Sequence, residues 1–245
     1  MIGYLSSFVF KCTTKIDPRR HLCILMAIFF TYNLDANAQM NLGIDVGLTN
    51  NKLNFSSKYG NLKLTSNYGY MINLIIEHKL DKWLSFDASP GVIQKNYSIR
   101  NISNINQDID NTYLHLPLSM TYQVSLLRNV NISGSFGAYY AYWISSVVSG
   151  VAPNVFELSS NPKGDELIKV ENIDYKYKFT KQDNKSELGW ILKLGIEYGI
   201  FNHISFIINT QYYQSITDQQ KRINELESEK RNRTLALTSG ILYHF

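Results

Sequence analysis

The chain has 245 residues, of which 44% are hydrophobic and 18% are charged, and these values fit one folded domain without low-complexity segments. Its formal net charge of only +4 gives no electrostatic reason to expect a nucleic-acid partner. No run of about 18 apolar residues occurs after residue 38, which excludes a helical membrane span from that part of the chain.

The first 38 residues have the pattern of a cleavable secretory signal peptide. The segment carries four basic residues ahead of its apolar run: Lys11, Lys15, Arg19 and Arg20. The run itself covers 22–30, and Ala36-Asn37-Ala38 supplies a small-x-small cleavage site. A membrane anchor, the alternative, needs about 20 apolar residues. Because Cys12 and Cys23 both lie in this segment, we expect the mature protein to contain no disulfide and no cysteine-based metal site.

Eight segments of alternating apolar and polar residues follow in the predicted domain, 39–245. Each has about the length that a tilted transmembrane strand requires, 9 to 11 residues or somewhat more. In chain order they cover 42–49, 68–77, 84–92, 114–122, 130–142, 188–198, 204–212 and 235–245. The last ends on Phe245, which resembles the carboxyl-terminal signal that the assembly machinery of bacterial outer-membrane barrels recognises.

The connections between these segments alternate in length. Three are tight turns, at 79–82, 126–129 and 199–203. Four are long, near 50–65, 98–111, 144–185 and 214–232. This alternation is typical of an up-and-down meander through a membrane, with short turns in the periplasm and long loops outside the cell. The even number of strands then places both termini in the periplasm.

A period of two does not by itself show which face of the sheet points outward. A soluble lipocalin-like barrel also alternates, with its apolar set inside. Eight strands enclose an interior only just wide enough for side chains or one small ligand, and the apolar set is too large to fit there. The large residues are therefore expected to face lipid. Aromatic residues near the strand ends match interfacial belts: Tyr68, Trp83, Tyr122, Tyr142, Tyr198, Tyr212 and Tyr243.

The predicted fold is thus all-β, an eight-stranded antiparallel up-and-down transmembrane β-barrel. Four stretches resemble the PorT-like outer membrane protein beta-barrel domain family: NLGIDVGLT at 41–49, YLHLPL at 113–118, GSFGAY at 134–139 and GIEY at 195–198. The family commonly has an acidic residue where this chain has His115. The resemblance implies an outer-membrane location but no shared activity.

The expected inward face carries a polar set: Asp45, Glu77, Asp87, Lys95, His115, Lys193, Glu197 and His244. Unpaired charges in a narrow lumen are costly, so we expect structural pairs, such as Lys193 with an acid on a neighbouring strand. A barrel hydrolase is the alternative, because His115 and Ser119 share one inner face. They are roughly 13 Å apart along the strand, too far for a direct hydrogen bond. No catalytic, cofactor-binding or metal-binding residue is predicted.

One long connection contains a further alternation. Tyr175, Tyr177 and Phe179 alternate with Lys176 and Lys178. The pattern predicts that the sixth strand continues above the membrane as a hairpin, and it also suits a binding surface.

These patterns predict a monomeric outer-membrane protein of structural or interaction type, without catalytic activity, whose long loops are the contact surface. Its expected partners are outer-membrane lipid and lipopolysaccharide, the barrel assembly machinery during biogenesis, and a protein bound at the extracellular loops. A small porin or transport-associated channel is the first alternative, and a lipid hydrolase is the second.

Overall fold

The protein is described from a computed structural model that covers residues 40–55, 62–101, 106–160, 166–221 and 229–245. The regular elements in these ranges are all β-strands, and they form one eleven-stranded sheet. The predicted signal peptide, 1–38, with Cys12 and Cys23, lies outside the described residues. Within those ranges, no helix is long and apolar enough to cross a membrane.

The eleven strands follow one another along the chain. Their bounds are β1 Met40–Phe55, β2 Leu62–Lys79, β3 Leu84–Ala88, β4 Gly91–Gln94, β5 Tyr97–Asn101, β6 Asn106–Leu127, β7 Val130–Ser160, β8 Glu166–Lys176, β9 Ser186–Phe201, β10 Ile204–Ser215 and β11 Lys230–His244.

Antiparallel pairing closes the sheet into a ring. Strand β1 pairs with β2, and β2 pairs along its length with β3, β4 and β5, each of which also pairs with β6. The ring continues from β6 through β7, β9, β10 and β11, each paired with the next. The last strand pairs with the first, from Asn41 with His244 to Phe55 with Lys230. The ring has eight positions because β3, β4 and β5 share one position and β8 lies outside it. The predicted antiparallel all-β barrel is therefore confirmed as a fold class.

The structure has eleven strands rather than eight because the third position is divided among β3, β4 and β5 and because β8 is an additional strand. The sequence predicts one strand over 84–92, whereas β3 ends before Ser89-Pro90 and β4 begins after it. Proline has no N–H to donate and is found at breaks and edges of sheets. The flanking strands still bond to the break: Leu74 N donates to the Pro90 carbonyl at 2.9 Å, and Ser89 N donates to the Pro117 carbonyl at 3.0 Å.

Several strands run well past their predicted ends, so pairing extends into all four segments that the sequence assigns to long loops. The longest, β7, continues to Ser160, and β6 already begins at Asn106. The apolar alternation marks only the part of a strand that faces lipid. On β1 the outward positions after Leu48 are Asn50, Lys52 and Asn54, so the period-two signal is lost although the strand goes on.

The extra strand β8 forms a hairpin with β7. Tyr175 pairs with Val148, and Tyr177 N donates to the Ser146 carbonyl at 2.9 Å. On β7, the pairing with β9 ends at Tyr142 and the pairing with β8 begins at Val147, whereas β6 occupies the other side of β7. The alternating segment at 175–179 therefore continues the position of the sixth predicted strand above the apolar belt, and the predicted hairpin is confirmed.

The two faces of the sheet are oriented as the composition predicts. On β1, Ile44 and Leu48 point outward and are 53% and 67% exposed, whereas Asp45 and Thr49 point inward and are 2% and 1% exposed. The other strands repeat this arrangement with large apolar side chains outside and polar ones inside. An exposed apolar belt of this extent on a closed ring is the surface that a lipid bilayer covers.

Exposed aromatic side chains lie at both ends of this belt. Near the tight turns, the rings of Trp83 and Tyr122 stack with centroids 6.4 Å apart, and Tyr243 is exposed on the last strand. At the opposite end, Tyr68 and Tyr142 are exposed. Amphipathic rings in these positions are typical of membrane–water interfaces.

Candidate functional site

A buried ion pair spans the lumen near the end where the strands extend beyond the apolar belt. Lys95, which lies between β4 and β5, is 1% exposed, and its ammonium group forms an ion pair with the Glu187 carboxylate on β9. Tyr139 OH on β7 donates to the same carboxylate oxygen at 2.6 Å, and Asn232 Nδ2 on β11 donates to the other oxygen at 2.7 Å. Four positions of the ring therefore meet in one polar cluster.

Three tyrosine rings surround the Lys95 ammonium group. Its Nζ atom lies 4.5 Å from the ring centroid of Tyr139, 5.4 Å from that of Tyr113 and 5.9 Å from that of Tyr213. Cation–π attraction is strongest where the cation is desolvated, as it is here. The Tyr139 and Tyr213 rings also pack edge to face, with centroids 5.3 Å apart. We call Lys95, Glu187, Tyr113, Tyr139 and Tyr213 the Lys95 layer.

The three tyrosines of the Lys95 layer pack with apolar side chains in the larger of the two core clusters in the described chain. Its members are Met71, Ile93, Tyr113, Tyr139, Ala141, Trp143, Ile191, Tyr213 and Ala236. The sequence predicts an inward face of small and polar residues and so misses these rings. The signal was available, because Glu187 and Tyr139 have the parity of the inward positions on their strands.

The other predicted inward charges form two clusters closer to the tight turns. Lys193 Nζ lies 3.1 Å from Asp87 Oδ2, and the hydroxyl of Thr121 donates to the same oxygen. Asp87 is on β3 and Lys193 is on β9, with β6 and β7 between them. The pair therefore reaches across the lumen, which corrects the expectation that Lys193 pairs with a neighbouring strand.

The second cluster lies beside the chain termini. His244 Nε2 is 3.1 Å from Glu197 Oε1 and 2.7 Å from Ser205 Oγ, and Gln123 donates to the other Glu197 oxygen. Elsewhere on the inner face, Asn41 donates to Glu77 at 2.9 Å.

Asp45 is also engaged on the inner face, where Thr238 donates to it at 3.0 Å. With the Lys95 layer, the two charged clusters and the Asn41–Glu77 contact, every inward charge that the sequence singles out has a polar partner in the structure.

The residues of the predicted hydrolase alternative are not brought together. His115 Nε2 is 2.6 Å from Asn73 Oδ1, and the His115 ring lies against Tyr213 with centroids 5.9 Å apart. Ser119 is opposite Asp87 in the β3–β6 register. His115 thus contacts an amide and a phenol rather than a nucleophile. The described residues also contain no group of three or more His, Cys, Asp or Glu side chains that could hold a metal ion.

A cavity of about 280 Å³ lies beyond the Lys95 layer, at the mouth of the barrel. We call it the rim cavity. Its lining is mainly apolar and aromatic: Leu53, Leu64, Tyr97, Ile99, Gln107, Ile109, Trp143, Ser146, Val148, Tyr175, Tyr177, Asp183, Gln219, Gln220 and Lys230. Trp143 joins the two regions, because its ring stacks on Tyr113 of the Lys95 layer at 5.8 Å and on Tyr177 at 6.3 Å.

Asp183 fixes one wall of the rim cavity. Its carboxylate accepts hydrogen bonds from the backbone N–H of Thr180 at 2.6 Å, from the Thr180 hydroxyl at 3.0 Å and from Tyr177 OH at 3.2 Å. Backbone pairing between Asp183 and Gln220 joins this segment to the one that follows β10. Polar contacts therefore hold this wall of the cavity in place.

Two phenols of the rim cavity stay protonated at neutral pH. Tyr97 pairs with Ile109, beyond the apolar belt that begins on β6 at Leu114. Burial raises the pKa of Tyr97 to about 12, and the neighbouring Tyr177 adds to the effect. Burial and the Asp183 charge also raise the pKa of Tyr177. The cavity wall consequently presents neutral hydroxyl groups.

The Lys95 layer can be tested through stability. Lys95→Met should lower the free energy of unfolding by about 3–5 kcal/mol, because it leaves the Glu187 carboxylate buried without its cation. The measurement is denaturant unfolding of the refolded protein in detergent, followed by tryptophan fluorescence. Lys63→Met, at an exposed lysine, is the matched control and should change the value by about 0.5 kcal/mol or less. Adding Glu187→Gln to Lys95→Met should recover part of the loss, and strictly additive losses would contradict the pairing.

The sequence matches one family model, and the fold is similar to several solved structures of outer-membrane barrels. Residues 33–220 match the family model described as "Outer membrane protein beta-barrel domain". No curated protein matches the sequence.

Among solved structures, the outer membrane protein AlkL in lipid bilayers is 12% identical, with a TM-score of 0.48, over 85% of this chain and 90% of that chain. Neisserial surface protein A is 12% identical, with a TM-score of 0.45, over 86% and 100%. Ail, the attachment invasion locus protein of Yersinia pestis, is 11% identical in its complex with a heparin analogue, with a TM-score of 0.41, over 84% and 99%.

Proposed function

The chain belongs to the outer membrane protein beta-barrel domain family and is located in the outer membrane, and from this premise we propose that it is a closed, non-catalytic barrel whose distal rim is a contact surface. The distal rim is the end opposite the tight turns, where β6, β7 and β8 extend beyond the apolar belt. The family match itself assigns no activity, so the proposal depends on the geometry of the lumen and of the rim.

The observation that carries the proposal is the Lys95 layer. An eight-position ring leaves an interior about wide enough for its own side chains. Here those side chains include three buried tyrosines and an ion pair whose acceptor oxygens are already occupied. Water or a solute would have to displace these contacts to pass, and breaking a buried ion pair is costly. The filled lumen favours a closed barrel over the porin alternative.

The arrangement of His115 supports a non-catalytic barrel. Its ring nitrogen is 2.6 Å from the Asn73 amide oxygen, and the side chain is 4% exposed. A general base must reach both a nucleophile and solvent-accessible substrate. The geometry around His115 instead suits a structural contact between β6 and β2.

The distal rim supports the contact role through its shape and charge. The β7–β8 hairpin is paired up to Ser160 with Glu166, so it projects as a regular element rather than as a free loop. The described part of this hairpin and the segment after β8 expose both acidic and basic side chains, among them Glu171, Asp174 and Lys178. Binding residues are often carried on segments that a rigid scaffold positions.

The remaining surface suggests the other partners. The exposed apolar belt suits outer-membrane lipid, with lipopolysaccharide at the distal end. The last strand, with exposed Tyr243 and Phe245, suits recognition by the barrel assembly machinery during biogenesis. Since β1 and β11 pair with each other within one chain, the ring needs no second copy to close, and we propose a monomer.

Conductance tests whether the barrel is closed. The refolded protein, verified by faster gel mobility before boiling than after it, is inserted into a planar bilayer. We expect no steady openings, because the Lys95 layer blocks the lumen. Large, steady single-channel currents would contradict the closed barrel and favour the porin alternative.

Site-specific photocrosslinking in intact cells tests the contact surface. A photoreactive amino acid at Lys178, on the exposed rim, should give discrete crosslinked products. The matched control is Arg128, an exposed residue of the tight turn between β6 and β7 at the opposite end, which should not give the same products. Identical products from both positions, or products from Arg128 alone, would rule out the rim as the contact surface.

A further inference from the structure

The rim cavity is not accounted for by a contact role of the outer surface. It lies inside the mouth of the barrel, and four apolar side chains that line it, Leu53, Ile109, Trp143 and Val148, are between 4% and 7% exposed. A ligand that filled the cavity would cover this apolar surface and gain packing contacts with it.

Strands from several positions of the ring enclose this cavity. The register of β1 with β2 ends at Asn51 and Asn67. Beyond that pair, β1 continues along β11 as far as Phe55, while the first residues of β2 pair with β5 instead. Leu53 and Leu64 line the cavity from β1 and β2, and residues of β5, β6, β7 and β11 also line it. The cavity is therefore the open end of the barrel interior.

The aromatic wall of the cavity is held in place before any ligand binds. Trp143 stacks on Tyr113 and Tyr177, packs edge to face with Phe179 at 4.9 Å, and donates from Nε1 to the Ser145 carbonyl at 3.0 Å. Preformed pockets bind small molecules with a smaller entropic cost than pockets that must assemble. The aromatic side chains of this wall favour a planar ligand.

The volume and the charges of the cavity limit what fits. An apolar cavity of about 150 Å³ accommodates benzene, and the rim cavity has about 280 Å³, which suits two fused rings. Its two charged lining residues already have partners, since Asp183 accepts from Thr180 and Tyr177 and Lys230 donates to Gln220. A charged ligand would gain no free counterion there.

From this combination we propose that the rim cavity binds a neutral, planar, two-ring aromatic compound that carries one hydroxyl or carbonyl group. The rings pack against Trp143 and Tyr177. The polar substituent has uncharged partners within the lining, namely the side chains of Gln107, Ser146 and Gln219. This binding function is separate from the closed lumen and from contacts of the outer rim.

Trp143 can report the binding directly. The chain has three tryptophans, so Trp83→Phe with Trp190→Phe leaves Trp143 as the one emitting indole, and neither replaced residue lines the cavity. The probe is 6-bromo-2-naphthol, whose bromine quenches indole emission on contact. In detergent micelles at fixed micelle concentration, we expect saturable quenching that unbrominated 2-naphthol reverses.

Two adjacent valines of β7 provide a matched pair of variants. Val148 lines the cavity and is buried, whereas Val147 points outward and is 36% exposed. Val148→Phe should raise the quenching midpoint at least about tenfold, because the added ring occupies the apolar volume that the ligand needs. Val147→Phe, the same substitution on the outer face, should leave the midpoint unchanged. Ile109→Phe fills the cavity from β6 and replaces Val148→Phe if the latter does not refold, as judged by gel mobility.

Three outcomes would overturn the proposal. The first is quenching that rises linearly with probe concentration and is equal in Val148→Phe and Val147→Phe, which would show partition into the micelle. The second is competition by naphthalene-2-sulfonate at lower concentration than 2-naphthol, which would contradict a neutral ligand. The third is an unchanged midpoint in a folded cavity-filling variant. None of these outcomes bears on whether the lumen conducts ions.

Discussion

The structure depends on the requirement that every backbone N–H and C=O inside a bilayer finds a partner within the protein. A sheet meets this requirement only if its first and last strands pair, and here β1 and β11 do so from Asn41 with His244 to Phe55 with Lys230. Closure of the ring fixes the pairing register of β1 with β11, and that register determines which side chains point inward and which point outward. Once Asp45 points inward, Ile44 and Val46 must point to lipid, so the polar lumen and the apolar belt have one cause.

Closure at eight positions also accounts for the interior. The lumen is too narrow to hydrate its charges well, so they are paired: Lys193 with Asp87 across the lumen, His244 with Glu197 near the termini, and Lys95 with Glu187 within a cage of tyrosines. With the middle of the barrel filled, function is confined to the surface and the ends. The distal end offers both an exposed paired hairpin and the rim cavity, whereas the opposite end carries the tight turns and the carboxyl terminus.

Much of the fold could be predicted from the sequence because strands that cross a membrane alternate between apolar residues that face lipid and polar residues that face inward. Alternation at Leu42 to Thr49 gives the faces, and turn and loop lengths give the direction of the chain. The apolar alternation ends where the lipid-facing part of a strand ends, so the extension of β7 to Ser160 was not predicted. The separate alternation at 175–179 did predict a hairpin above the membrane, and β7 and β8 form one. The Lys95 layer was not predicted, because pairing across the lumen joins Lys95 to Glu187, 92 residues apart in the chain, and no local period encodes that contact. The rim cavity is lined by residues from strands that are far apart in the chain, so no local pattern in the sequence predicts it.

Closure of the ring is tested most directly by a disulfide across the seam between β1 and β11. Leu48 and Leu237 are direct partners in the register, and opposite residues of antiparallel strands can be bridged. With Cys12 and Cys23 replaced by serine, Leu48→Cys with Leu237→Cys should form a disulfide in the membrane, seen as altered mobility on a boiled non-reducing gel. Leu48→Cys with Ala236→Cys, on opposite faces, should not. Failure of the first pair in folded protein, or equal bridging in both, would contradict the closed barrel in this register.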